Sequence, residues 1–267
     1  MTIPKFLTQC MIPLMLLICF QSCKEKKQEA DGEPTLEVLG KKGDFIKIFD
    51  GRTLNGWKGD PNYWRVENGY LVGEVSPETL LKNNNFLIWQ GGQPDDFELK
   101  LEFRITESGN SGINYRSDLI DTIPNAMRGY QADIDGNRKY TGQNYEEKKR
   151  TTLAYRGEKV IIKSQENLGA KASLRANVKN NCWQSREVVG VLGEPDSLKN
   201  KIISEDWNKV HLVIQDNRFQ HYVNGVLMSD VTDEDIKNRK LKGYLGVQVH
   251  VGPPMKVEYR NIQLKQL

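Results

Sequence analysis

The chain has 267 residues, with 38 Lys and Arg against 35 Asp and Glu and a formal charge of +3. At 38% hydrophobic and 27% charged it has an ordinary globular composition, which excludes wholesale disorder and a multi-span membrane protein. The near-neutral balance argues against nucleic acid as a partner, and three His with four Cys exclude a disulfide scaffold or a Cys-rich zinc fold.

Residues 1–22 read as a signal peptide. Lys5 is the short basic region, and the apolar stretch Met11–Phe20 is too short to span a bilayer, which needs about 20 residues. Ser22-Cys23 followed by Lys24-Glu-Lys-Lys-Gln-Glu29 resembles a bacterial lipoprotein cleavage site. The expectation is removal of 1–22 and lipid attachment at Cys23, which places the protein in the cell envelope and at the membrane only through that anchor. Residues 23–43 are charged and lack apolar periodicity, so they read as a tether. Residues 44–267 read as one domain.

From there the dominant signal has period two. Chain order gives candidate strands at Ile46–Phe49, Trp64–Glu67, Tyr70–Gly73, Phe86–Trp89 and Phe97–Ile105, the last alternating apolar and charged residues without a break. Gly112–Arg116, Tyr130–Asp135 and Lys159–Lys163 follow. Val210–Ile214 and Phe219–Val223 form a hairpin about Asp216-Asn217, and Asn224-Gly225 turns into Val226–Met228. Tyr244–Val251 and Lys256–Leu264 alternate too. Short helices are expected at Pro195–Ile203, capped by Asp196 or Ser197, and at Glu234–Asn238. About a dozen strands without βαβ alternation predict an all-β jelly-roll sandwich.

Three strands carry unusual polar faces. Gln131, Asp133 and Asp135 share one face of their strand; Asn114 and Arg116 share another; Tyr244, Gly246, Gln248 and His250 a third. Amides, Tyr and Gly in place of Lys and Glu suit sugar hydroxyls. Sharper motifs fail. Gln131-x-Asp133-x-Asp135-Gly136 lacks the first and last ligands of a calcium loop, although a divalent cation at Asp133 and Asp135 stays open. His211, His221 and His250 have no zinc spacing, and no nucleophile elbow exists. Trp57, Trp64, Trp89 and Trp207 read as packing before sugar platforms, and Trp183 lies in an irregular polar stretch.

Phe45-Ile-Lys-Ile-Phe-Asp-Gly-Arg-Thr-Leu-Asn-Gly-Trp57 resembles the opening of the 3-keto-disaccharide hydrolase domain family. Trp64-Arg-Val-Glu-Asn-Gly69, Asp96–Arg104, Gly109–Ile113, Gly129–Asp135, Tyr222–Gly225, Gly246–His250 and Arg260–Leu264 follow in family order. The resemblance covers 44–267 and implies a concanavalin A-like jelly roll in a lipoprotein that cleaves glycosides oxidised to a ketone at C3. The stretch 171–203, with Cys182-Trp183, is longer than the family pattern.

That substrate implies its chemistry. A C3 ketone makes the C2 proton acidic; a base removes it, the C1–O bond breaks by β-elimination, and water adds back. Asp133, Glu146 or His250 are the candidate base and acid. Asn114, Arg116 and Gln248 are candidate donors to the enolate oxygen, with Gln131 and Tyr145 at the substrate; a divalent ion could replace Arg116. Two rivals remain, a non-catalytic carbohydrate-binding sandwich and a two-carboxylate glycosidase. The anchor is the most direct expectation to check: labelled palmitate should enter the wild type and not Cys23→Ala, and equal labelling of both overturns it.

Overall fold

The computed structural model describes residues 1–2, 42–164 and 185–267. Cys23, the rest of the leader, most of the tether and Cys182-Trp183 lie outside the described residues. The strands in chain order are β1 (Ile46–Lys47), β2 (Trp57–Lys58), β3 (Trp64–Glu67), β4 (Tyr70–Val75), β5 (Asn85–Trp89) and β6 (Phe97–Ile105). Then come β7 (Asn110–Leu119), β8 (Met127–Asp135), β9 (Asn144–Glu147), β10 (Thr151–Ala154), β11 (Glu158–Ile162) and β12 (Arg186–Val191). A one-turn helix α1 (Pro195–Lys199) precedes β13 (Asn208–Gln215), β14 (Arg218–Val223), β15 (Val226–Asp233), β16 (Tyr244–Val249) and β17 (Met255–Gln266).

These strands make two sheets of a jelly-roll sandwich. The larger runs β12-β11-β15-β14-β13-β6-β17-β4-β3, with β1 also on β17; the smaller runs β10-β9-β8-β7-β16-β5-β2. Only β11 and β15 pair in parallel among the described pairs. Alternation decides which side chains meet between the sheets. In β6, Phe97, Leu99, Leu101, Phe103 and Ile105 are buried, while Glu98 reaches His211 and Lys265 on the outer face. The smaller sheet answers with Ile113, Tyr115, Tyr130, Ala132, Ile134, Val247 and Val249 in the same core. Trp57, Trp64 and Trp89 are core residues as well. The Asn224-Gly225 turn has positive φ at both positions, 50° and 79°, as a two-residue hairpin loop requires.

The expected helices shrink. Among the described residues only Pro195–Lys199 is helical, and its N-cap is Glu194, with Pro195 in the first turn and no side-chain cap. Glu234–Asn238 is a turn. Its Asp235 is drawn inward instead. Arg150, in the turn after β9, is fully buried and pairs with Glu146 at 2.5 Å, Asp233 at 2.6 Å and Asp235 at 3.5 Å. Tyr130 Oη donates to Asp233 Oδ2 at 2.6 Å, and Lys149 Nζ reaches Glu146 and the Asn238 carbonyl. This ionic cluster joins β9 of one sheet to β15 of the other.

Removing its cation would leave three buried carboxylates without their main counter-charge. Arg150→Met is expected to cost about 3–5 kcal/mol, seen as a lower urea midpoint. Arg65→Met, which breaks exposed pairs to Glu67 and Glu74, should cost about 1 kcal/mol or less.

Candidate functional site

The polar faces converge on the side of the smaller sheet turned away from the core. β7 and β8 set Asn114 against Gln131 and Gly112 against Asp133, and β16 sets Gly246 against Asn114. Gly112 leaves a gap that Gln131 fills: a Cβ there would stand 2.4 Å from the Gln131 side-chain carbonyl carbon. Lying across that gap, Gln131 Oε1 accepts from Gln248 Nε2 at 3.1 Å, and Gln131 Nε2 donates to Asp133 Oδ1 at 2.6 Å. Gln143 Nε2 donates to the other oxygen, Asp133 Oδ2. Both carboxylate oxygens are thus gripped by amide donors, and the grip on Oδ1 is itself braced.

Above this floor lies a cavity of about 440 Å³, walled by Tyr145, Glu147 and His250. Burial pushes the Asp133 carboxyl up to about 7; the Gln143 and Gln131 bonds oppose this, and the charges of Glu147 and Asp135 add to it. Burial also raises Glu147, against Lys148 and the bond from Asn84. It raises the Tyr145 hydroxyl well above the ordinary phenol, so that group keeps its proton, and it lowers His250, which favours the neutral imidazole. Asn84 Nδ2 donates to Glu147 Oε1 at 3.2 Å while its Oδ1 accepts from Val251 N at 2.9 Å, tying the end of β9 to the loop that carries His250.

Gln131, Asp133, Tyr145 and His250 therefore line one cavity, and Gln248 acts beneath it through Gln131. Asn114 is buried on the same face but bonds to Ser117 Oγ at 3.3 Å. Two expected site residues lie elsewhere. Arg116 sits at a bulge in β7 with φ of 45°, which turns its side chain off the Asn114 face. Its guanidinium donates to the Asp95 carbonyl (2.8 Å), the Asp216 carbonyl (2.5 Å) and Asp96 Oδ1 (2.8 Å), and it packs over Phe219. It locks loops and is not among the residues that line the cavity. Glu146 points into the core, where burial would raise its pKa but Arg150 and Lys149 hold it below the ordinary value.

Adjacent strand residues face opposite ways, so Tyr145 in the cavity requires Glu146 outside it and Glu147 inside. Glu147 was the acid to read from that alternation. Gln143 and Asn84 had no such signal, because both act from positions outside the alternating runs. The proposed cation pair also separates: Asp135 accepts the backbone N–H groups of Lys139, Tyr140 and Thr141 and shapes their loop. No cluster of three or more His, Cys, Asp or Glu that could hold a metal occurs among the described residues. His221 is an interior group, pushed down to about 4 by burial and bonded to Tyr115 Oη at 2.9 Å.

Residues 44–265 match the family described as 3-keto-alpha-glucoside-1,2-lyase-like domain. A 3-keto-disaccharide hydrolase of Bacteroides thetaiotaomicron is 36% identical over 78 residues, which is 27% of this chain and 27% of that protein. A candidate glycosyl hydrolase of Parabacteroides distasonis has a similar structure, with TM-score 0.51 at 20% identity, over 87% of this chain and 97% of its own. A Bacillus subtilis protein with a galectin-like fold gives TM-score 0.50 at 12% identity, over 85% of this chain and 97% of its own. At these identities the solved structures speak for the fold alone.

The raised Asp133 carboxyl has a measurable consequence for stability. An unfolded Asp titrates near about 3.9, against about 7 in the fold. Above the higher value the group is ionised in both states and its burial opposes folding; below the lower it is neutral in both. Asp133→Asn removes this titration but sets an NH2 against one of the two Gln donors, so its stability relative to the wild type is expected to rise by about 2–4 kcal/mol between pH 4 and pH 8. Urea melts at both pH values check it, and an equal effect at each would show that Asp133 titrates normally.

Proposed function

We propose that this chain, which belongs to the 3-keto-alpha-glucoside-1,2-lyase-like domain family, cleaves 3-keto-glycosides by elimination and hydration. The observation that carries the reading is Asp133: a carboxylate near neutrality, fixed by two amides on a cavity floor, with a second carboxyl, Glu147, on the wall. A base with pKa near the working pH combines the right charge state with useful driving force.

Asp133 takes the C2 proton, and the electron pair of that bond forms the enolate, its charge on the C3 oxygen. Tyr145, which retains its proton, and Lys139, whose raised pKa keeps it cationic, are the donors on the cavity lining that can meet this oxygen. The enolate collapses, the C1–C2 double bond forms, and the C1–O bond breaks. Glu147, with its raised pKa, gives a proton to the leaving oxygen. Water then adds at C1 as a proton returns to C2, giving the free 3-keto sugar. His250, neutral, is left to orient sugar hydroxyls.

The same pair of carboxyls favours one other reading, direct hydrolysis of an unoxidised glycoside by two acids. Labelling separates them. Cleavage of a 3-keto-glucoside in heavy water should place deuterium at C2 beyond a no-enzyme control, and the matched glucoside should survive. Asp133→Asn should lose roughly two to four orders of magnitude in rate. Glu147→Gln should lose most on alkyl leaving groups and least on nitrophenolate, which needs no acid. Equal hydrolysis of the plain glucoside without label would favour the two-acid route.

A further inference from the structure

Among the described residues, Tyr140 and Tyr155 are the most exposed aromatic side chains, at 36% and 44%. Both line the cavity that holds Asp133. Two open rings on the rim of one polar cavity, and on no other surface, point to a ligand with an apolar face.

The rings are also held in place. Tyr155 opens the turn between β10 and β11, and its N–H donates to Glu158 Oε2 at 2.7 Å. The same Glu158 oxygen pairs with Arg186, whose guanidinium carbon lies 5.2 Å from the Tyr155 ring centroid and whose Nε donates to the Leu153 carbonyl. Gly157, at φ of 94°, completes the turn, and its N–H donates to the Met228 carbonyl at 2.7 Å. Tyr140 is fixed through its own N–H to Asp135 Oδ1 at 2.9 Å, and Lys139 Nζ stands 4.9 Å from its ring centroid. Each ring is therefore backed by a cation and anchored through its backbone, so little freedom is lost when something stacks on it.

We infer that Tyr140 and Tyr155 form the subsite for the leaving group, and that this group is a ring presenting a flat, C–H-rich or aromatic face. The assignment of the leaving side rests on the cleavage reading above. Asp133 lies on β8, while Tyr155 lies beyond β10 at the sheet edge, so the reacting ring sits over β8 and its substituent extends over β9 and β10. A second pyranose and an aryl group both offer the required face.

The test uses methyl, glucosyl and phenyl 3-keto-glucosides with the whole protein. Tyr155→Ala should raise KM roughly three- to tenfold for the ring-bearing substrates and leave the methyl substrate unchanged, with Tyr155→Phe restoring wild-type values. A larger effect on the glucosyl or on the phenyl substrate identifies which ring the site is built for. Losses equal on all three substrates, or no loss at all, overturn the subsite. Should the wild type turn over none of them, the cleavage reading fails by itself. Saturation-transfer NMR with phenyl glucoside and a glucose disaccharide then decides the subsite: contact at the second ring that disappears in Tyr155→Ala supports it, and unchanged contact overturns it.

Discussion

The buried guanidinium of Arg150 fixes which way β9 faces. Its bonds to Glu146 on one sheet and Asp233 on the other are made in the interior, where an unpaired charge is far more costly than at the surface. Glu146 must therefore point inward. A slip of one residue would turn Glu146 out and bury Glu147 and Tyr145 without partners. The cavity wall is thus set from the opposite side of the strand, by an ion cluster that never meets solvent. The turn at 234–238 follows from the same constraint, since Asp235 joins the cluster and also accepts from Asn238 Nδ2 at 2.7 Å.

Period-two alternation made most of the fold legible. Phe97–Ile105 is a strand over the expected residues, and the hairpin about Asp216-Asn217 pairs Val210 with Val223 and Ile214 with Phe219. β9 and β10 escaped because they are short and their patterns are dictated by partners, and β12 because it buries neither face. β9 alternates Asn, Tyr, Glu, Glu, which carries no apolar signature at all. The inward residues there are polar because they meet Arg150, Tyr115 and His221, not because they face water. Arg116 failed for a related reason: alternation assumes an unbroken strand, and a single left-handed residue ends that assumption. The family resemblance supplied the expected substrate class, whereas the residues alone supplied only a sugar-suited face.

The floor residues illustrate how one face can be both polar and dry. Gln131, Asp133 and Gln248 are almost fully buried although they lie on the outer side of a sheet. They satisfy one another in a row, Gln248 to Gln131 to Asp133, with Gln143 closing the other end. Such a row lowers the penalty of burying a carboxyl without removing it, since desolvation still dominates its pKa. A site that needs a base near neutrality is built by this balance: fewer donors would leave Asp133 protonated, and a nearby cation would hold it ionised and weakly basic. The residual instability falls on the fold, as is common where function requires a buried titrating group.

The division of that outer face explains why the cavity lies where it does. β16 offers Tyr244, Gly246, Gln248 and His250 on one side, yet only the last two belong to the polar end. Over Gly246 a Cβ would meet the Met127 sulfur at 2.6 Å, and Met127 packs there with Phe86, Ile88 and Tyr244 as a separate apolar cluster. The chain between β7 and β8 returns across this end, where Phe86 N donates to the Asn125 carbonyl at 2.9 Å. That cap closes half of the face and leaves the other half to Asp133, Glu147 and His250. Tyr140, on the loop between β8 and β9, and Tyr155, just beyond β10, line the cavity in the part that the cap leaves.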